Sequence, residues 1–357
     1  MGGDAVMPRE DMSPKERWQA VLRRDRPDRV PMDYWGTPEA TERLCRHLGG
    51  DVDEVFRRLH IDSPRTVGPR YVGPAVPPGE DEFGVRRRSI RYEGGVYQEV
   101  ASHPLAAFES VAEIEANYRW PSADWWDFRN LPKAIRGQDH RPIRGGGSEP
   151  FLKYCELRGM EQAYMDLLIN PEIAHYVLDK LFDLAFEITR RIFETLPGKV
   201  LITYIAEDLG SQEGLLFSPA QMEEFLFPRM QRMMRLAREH GVYVFTHSDG
   251  AIRPVIGRLI ELGTQVLNPI QWRCRGMERE GLKRDYGDRL IFHGGMDNQR
   301  TLPFGTVEDV RREVIENLRI LGAGGGYILA PCHNIQAVTP PENIVALYET
   351  GYAEGWT

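Results

Sequence analysis

The chain has 357 residues, of which 41% are hydrophobic and 27% charged, with a formal net charge of -8. This length suits one large α/β barrel, and the acidic balance offers nothing to hold nucleic acid or an anionic membrane. No apolar run approaches the ~20 residues of a membrane helix. Cys45, Cys155, Cys274 and Cys332 are scattered without disulfide-like spacing, so a reducing, cytoplasmic location is the expectation.

Residues 1–12 read as a flexible tail and 13–357 as a single domain. Ser13-Pro14-Lys15-Glu16 forms a capping box with proline at the first helical position, and Trp18, Val21 and Leu22 give that helix a buried face. Arg29 to Gly36 is a short strand with a polar and aromatic end, and Thr37-Pro38 caps the next helix. Residues 66–105 are rich in Gly, Pro and Arg. Within them, Ser89 to Tyr92 and Val96 to Val100 flank Glu93-Gly94-Gly95 as an inserted β-hairpin. Trp120, Trp125 and Trp126 lie in a connector. Pro142 to Glu149 reads as a weak strand with a glycine-rich loop, and it lacks the Lys-Ser/Thr of a phosphate loop. Asn170-Pro171 caps a long helix with Val177, Leu181, Ala185, Ile188 and Ile192 on one stripe.

From residue 199 onward, short strands and helices alternate. The strands are 199–206, 242–246, 265–269, 289–293 and 327–330, and the helices begin at Ser218-Pro219, 251, 278, 307 and 341. Such alternation with short loops implies a parallel sheet. The number of units favours a TIM-type (β/α)8 barrel with N-terminal helical and β-hairpin additions.

In such barrels the C-terminal ends of the strands carry the site. The clearest is Tyr243-Val-Phe-Thr-His-Ser-Asp-Gly250, where a buried strand stops at an imidazole, a hydroxyl, a carboxylate and a glycine. The other strand ends deliver Glu207 and Asp208; Asn268, Gln271 and Trp272; His293; and Cys332, His333 and Asn334. Two chemistries fit this set. One is a divalent metal, zinc foremost, held by His247, Cys332 and one of Glu207 or Asp249, with a position left open. The other is metal-free acid–base work by Glu207, Asp208, His247 and His333. Each residue also has a plain structural reading: His247 as a hydrogen-bonded histidine, Cys332 as a small buried hydrophobe. Tyr34, Trp35 and Trp272 suit either the floor of a pocket or the core.

The ordered pattern Glu207-Asp-Leu-Gly-Ser-Gln212, His247-Ser-Asp-Gly250, Leu267-Asn-Pro-Ile-Gln271, His293-Gly-Gly-Met-Asp297 and Gly324 to Gln336 resembles the uroporphyrinogen decarboxylase superfamily over roughly residues 150–353. True decarboxylases carry an N-terminal Arg-Gln-Ala-Gly-Arg stretch. Here that region reads Pro31-Met-Asp-Tyr-Trp-Gly36, without arginine. The chain is thus more similar to the cobalamin-dependent methyltransferase branch, whose zinc is held by a His-x-Cys pair and a distant Cys. His247 and Cys332 match the first and last of these positions, and Asp249 stands where the pattern has Cys.

The resemblance implies an O-demethylase type of methyltransferase that moves a methyl group from a small substrate, such as a methoxylated aromatic, to a corrinoid. An Asp-x-His-x-x-Gly cobalamin motif is absent, so the corrinoid must come on a partner protein. The implied metal set is His247, Cys332, Asp249 and Glu207. Glu207, Asp208 and His333 are the catalytic candidates. Tyr34, Trp35, Asn268, Gln271, Trp272, His293 and Asn334 are the substrate-binding candidates. A homodimer is a further expectation. The alternatives are a metal-independent decarboxylase acting on a small carboxylate and a non-catalytic binding module.

Overall fold

The computed structural model describes residues 10–92 and 95–357. The tail expected over residues 1–9 and the hairpin turn at Glu93-Gly94 lie outside the described residues. Residues 10–12, also expected in the tail, are instead tied down. The amides of Asp11 and Met12 donate to Asp28 Oδ2 at 3.1 and 3.0 Å, and Glu10 pairs with Arg29 at 2.8 Å.

Seven parallel strands follow one another in chain order: Arg65–Val67, Ile143–Ser148, Ile202–Ala206, Tyr243–His247, Val266–Asn268, Ile291–Met296 and Tyr327–Pro331. Helices Pro171–Thr195, Phe227–Glu239, Arg253–Leu262, Arg279–Tyr286 and Val307–Ile320 connect them, and Pro341–Glu354 follows the last strand. The segment around residues 31–36 joins the two edges. Met32 and Gly36 bridge Leu329 and Ile335 in parallel, while the Asp62 amide donates to Met32 O at 2.7 Å just before the first strand. The architecture is the expected α/β barrel of TIM type.

The two faces of the strands bury different sets. Ile202, Phe245, Val266, Ile291 and Ile328 point into the ring, where Trp18, Val21 and Leu22 of helix Pro14–Arg23 close the N-terminal end of the strands. The outward residues pack under the helices, which bring Met222, Met230, Met233 and Met234 to the same core. The capping box at Ser13 forms as predicted, and Thr306 makes another with Asp309. Asn170 does not cap; its amide turns back to Asp166 Oδ1 at 3.0 Å. The hairpin of Arg86–Tyr92 and Gly95–Ser102 stands apart from the ring as its own two-stranded sheet. In strand Ile143–Ser148 the register shifts between Arg144 and Gly147, so one extra residue bulges there. The glycine run permits it: a Cβ on Gly147, at φ +133°, would lie 2.0 Å from Tyr204 O.

One buried carboxylate ties the ends of this architecture together. Asp62 takes Arg17 Nη1 at 2.6 Å, Arg29 Nη1 at 2.8 Å and the Met32 amide at 2.9 Å, with all three charged side chains only 1% exposed. It thereby links the plugging helix, the eighth stave and the first strand. Removing it leaves two buried guanidinium groups short of their shared partner. Asp62→Ala is therefore expected to lower the unfolding free energy by about 3–5 kcal/mol, read as a lower urea midpoint at unchanged slope.

Candidate functional site

The pairing register sets the site. His247 sits opposite Ala206 on one side and Asn268 on the other, at the C-terminal ends of three neighbouring strands. His293 lies on the next strand, and Asp33 lies on the segment bonded to Leu329. All four side chains are buried and join in one line. His247 Nδ1 meets Asn268 Oδ1 at 2.6 Å, Asn268 Nδ2 meets His293 Nδ1 at 2.7 Å, and His293 Nε2 meets Asp33 Oδ2 at 2.9 Å.

An amide oxygen only accepts and an amide NH2 only donates, so the tautomers follow. His247 donates from Nδ1, and in the neutral ring its lone pair is on Nε2. His293 accepts at Nδ1 and donates from Nε2 to Asp33. Burial alone would raise the Asp33 carboxyl, but the hydrogen bond from His293, helped by Ser63 and the charge of Arg144, outweighs it and holds the group below the usual carboxylate range.

His247 Nε2 faces a cavity of about 930 Å3. Asp208 Oδ1 and Asp249 Oδ1 lie 3.7 and 3.8 Å from it. Ligand atoms of His247, Asp249 and His333 all fall within 4.8 Å of one another. Asp249 Oδ1 is buried and has no hydrogen-bond partner, a costly state unless something else meets it. Burial raises the Asp249 carboxyl, and Asp208 adds to the effect against the opposing pull of His247 and His333.

The turn after His247 depends on Gly250. At φ +88°, a Cβ there would lie 2.5 Å from the carbonyls of Gly210 and Ser211, so only glycine fits the turn that follows Asp249. Trp35 stacks on His247 with centroids 6.0 Å apart, and its Nε1 donates to Asp33 Oδ2 at 2.9 Å. Tyr204 lies against both, 5.4 Å from the His247 ring and 6.2 Å from that of Trp35.

Residues 133–353 match the family described as uroporphyrinogen decarboxylase. The chain belongs to that family. Among curated relatives it is similar to the uroporphyrinogen decarboxylase of Pseudomonas putida, 28% identical over 207 residues, which are 56% of this chain and 51% of the relative. The enzyme of Pseudoalteromonas translucida is 26% identical over 214 residues, with the same coverage. The chain thus spans about half the length of the curated relatives it matches. A solved structure, the methyltransferase from Methanosarcina mazei, superposes with a TM-score of 0.70 over 96% of this chain and 98% of that one, at 18% identity. That likeness concerns the fold. No helix among the described residues is long and apolar enough to cross a membrane.

The family fold does not gather every residue that the sequence suggested. His247, Asp208, His333, Asn334, Tyr34 and Trp35 do line the cavity. Cys332 does not join His247 and Asp249. The chain bends there, its amide bonds to Met296 O, and its thiol donates to Ile270 O at 3.2 Å. Burial pushes that thiol well above its ordinary range. Glu207 is likewise not a pocket ligand. It points under helix Pro150–Arg158 and accepts the Phe151 amide at 3.1 and 3.3 Å.

Four of the substrate candidates also have other work. Asn268 and His293 are fully buried links in the line behind His247. Gln271 accepts from the Gly250 amide at 2.7 Å. Trp272 donates to Gly295 O and lies between the guanidinium groups of Arg273 and Arg279, each 4.2 Å from the ring. The sequence reading missed Asp33, Arg144, Glu149 and Tyr204. All four line the cavity. Asp33 sits at the polar end of the predicted first strand, and the period-two alternation of 143–148 and 202–206 was the available signal for the rest.

Glu207 gives a measurable consequence. Burial raises its carboxyl well above the ordinary glutamate range, and the charges of Glu149 and Asp208 add to this against the Phe151 hydrogen bond. An acid whose folded pKa exceeds its unfolded value contributes stability below the unfolded value and loses it as pH rises toward the folded one. Each tenfold change in acidity is worth about 1.4 kcal/mol. Glu207→Gln should therefore match the wild type near pH 4 and exceed it in urea midpoint increasingly above about pH 4.5.

Proposed function

We propose that this chain moves a methyl group from a small methoxylated substrate to the cobalt of a corrinoid carried by a separate protein. His247, Asp249 and His333 would hold a divalent ion, zinc foremost. The observation that carries this reading is the group itself: an oriented Nε2 lone pair, a buried carboxylate oxygen without a partner and a second imidazole, within 4.8 Å of one another where the two imidazoles line an aromatic-walled cavity. Two imidazoles and one carboxylate are a donor set that zinc accepts with a position left open. Such an ion, when bound, supplies Lewis acidity toward the donor oxygen.

The chain's own residues supply the rest. Trp35 and Tyr204 form a wall against which an aromatic donor can lie. Asn268, His293 and Asp33 hold the His247 ring in one orientation. As the C–O bond breaks, the oxygen keeps its electron pair and takes up a proton, while the methyl carbon bonds to the electron pair of the reduced cobalt. Glu149 lines the cavity, and burial raises its carboxyl, so it retains a proton to higher pH than a free glutamate and can deliver it to that oxygen.

A second reading is a metal-independent carboxy-lyase acting on a small carboxylate. The decarboxylase names of the curated relatives and the raised carboxyls of Glu149 and Asp249 favour it.

Elemental analysis of the purified protein separates the two. The methyl-transfer reading expects stoichiometric zinc that is lost in His247→Ala and Asp249→Ala but kept in Cys332→Ala. Activity without bound metal would favour the lyase. Asp33→Asn, which weakens the far end of the supporting line, should reduce zinc affinity about 10- to 100-fold, measured by competition with a chromophoric chelator.

A further inference from the structure

The same cavity contains a cation that the reaction so far does not use. Arg144 lines it, half-buried, with its guanidinium carbon 5.9 Å from the Trp35 ring and 5.7 Å from the Tyr204 ring. Its Nε donates to Thr66 Oγ1 at 3.0 Å, across the pairing of strands Arg65–Val67 and Ile143–Ser148. Among the described residues no carboxylate pairs with it. The more buried arginines differ: Arg17 and Arg29 share Asp62, Arg158 has Asp166, and Arg279 has Glu316. Both terminal nitrogens of Arg144 are left to the cavity, while Thr66 fixes the plane of the fork.

Two acids of the cavity are engaged elsewhere. Asp33 serves Trp35 and His293, and Asp53 pairs with Arg141. Glu149 and Asp208 lie within electrostatic reach of each other and of His247. The cavity therefore has two poles. Carboxylates and imidazoles gather at one, suited to a cation. An unpaired guanidinium stands at the other, with the lip residue Arg65 also free of a carboxylate partner among the described residues. The Trp35 and Tyr204 rings form the wall between them.

We propose that Arg144 anchors a carboxylate on the substrate, so that the methyl donor is a methoxylated aromatic acid and not a neutral ether. The donor part of this assignment rests on the methyl-transfer reading. A planar fork with two free N–H edges matches a carboxylate in bidentate fashion, and a half-buried site strengthens the pair. With its carboxylate at Arg144 and its ring along Trp35 and Tyr204, both of which also lie against His247, the ligand has its ether toward His247.

Calorimetric titration of the full chain as purified tests this with two probes of nearly equal shape, 4-methoxybenzoate and its methyl ester. The acid is expected to bind about tenfold or more tightly than the ester, as a charge-assisted pair provides. Arg144→Gln should abolish that preference, and Arg144→Lys, which keeps the charge without the fork, should retain part of it. Circular dichroism and the urea midpoint confirm that the variants fold.

Equal affinity for acid and ester, no binding of either, or a preference that survives Arg144→Gln overturns the anchor. The methyl-transfer reading fails separately. If the acid binds through Arg144 but is not demethylated with a corrinoid protein present, the anchor stands and that reading falls. If neutral anisole is demethylated as well as the acid and no binding preference exists, the reverse holds.

Discussion

The site depends on a buried hydrogen-bonded line whose two ends lie at the cavity. Four polar side chains, His247, Asn268, His293 and Asp33, cross the interior of the ring where apolar packing would be the easier solution. Each buried polar group would cost free energy if left unpaired. The line avoids that cost because every donor faces an acceptor: His247 donates to Asn268, Asn268 to His293 and His293 to Asp33. Its outcome is that the one lone pair not consumed inside the line is His247 Nε2, which points into the cavity. Trp35 adds a second donor to Asp33 and a ring against His247, so the same carboxylate steadies both the electronics and the wall of the site.

The barrel imposes a strict division on what its strands can offer. Inward residues at the N-terminal end are apolar and close against Trp18, while inward residues at the C-terminal end are the chemical ones. Outward residues belong to the helices, whatever their chemistry. Glu207 and Cys332 are reactive residue types on the wrong side of that division, which is why burial raises both well above their ordinary ranges without giving them a partner in the cavity. A strongly displaced carboxyl is thus not by itself a mark of the site; facing decides first.

Much of this was legible in the sequence, and the failures have specific causes. The alternation of strand and helix, the capping boxes and the polar strand ends were enough for the barrel and for gathering His247, Asp208, Asp249 and His333 at one end of it. Period-two alternation could have gone further. Tyr204 and Ala206 face inward, so Glu207 must face out, while His247 and Asp249 share a face. Cys332 is different, because alternation from Ile328 and Ala330 would carry it inward, and the bend after Pro331 turns it away. Asp33 and His293 meet across 260 residues of chain, a contact that no local pattern encodes.

Arg144 shows a limit of a different kind. The absence of arginine from Pro31 to Gly36 reads, in the sequence, as the absence of a cation for an acidic substrate. In the ring, however, strand Ile143–Ser148 supplies a guanidinium to the same cavity, steadied by Thr66 from its neighbour. A barrel mouth draws its side chains from every strand, so a charge missing at one stave can be provided by another. What a cavity of this family can hold therefore follows from the sum of its walls and from which charges on them remain unpaired. Here, imidazoles and acids gather about His247 while a guanidinium without a carboxylate partner among the described residues stands on another wall, and that separation gives the cavity a direction.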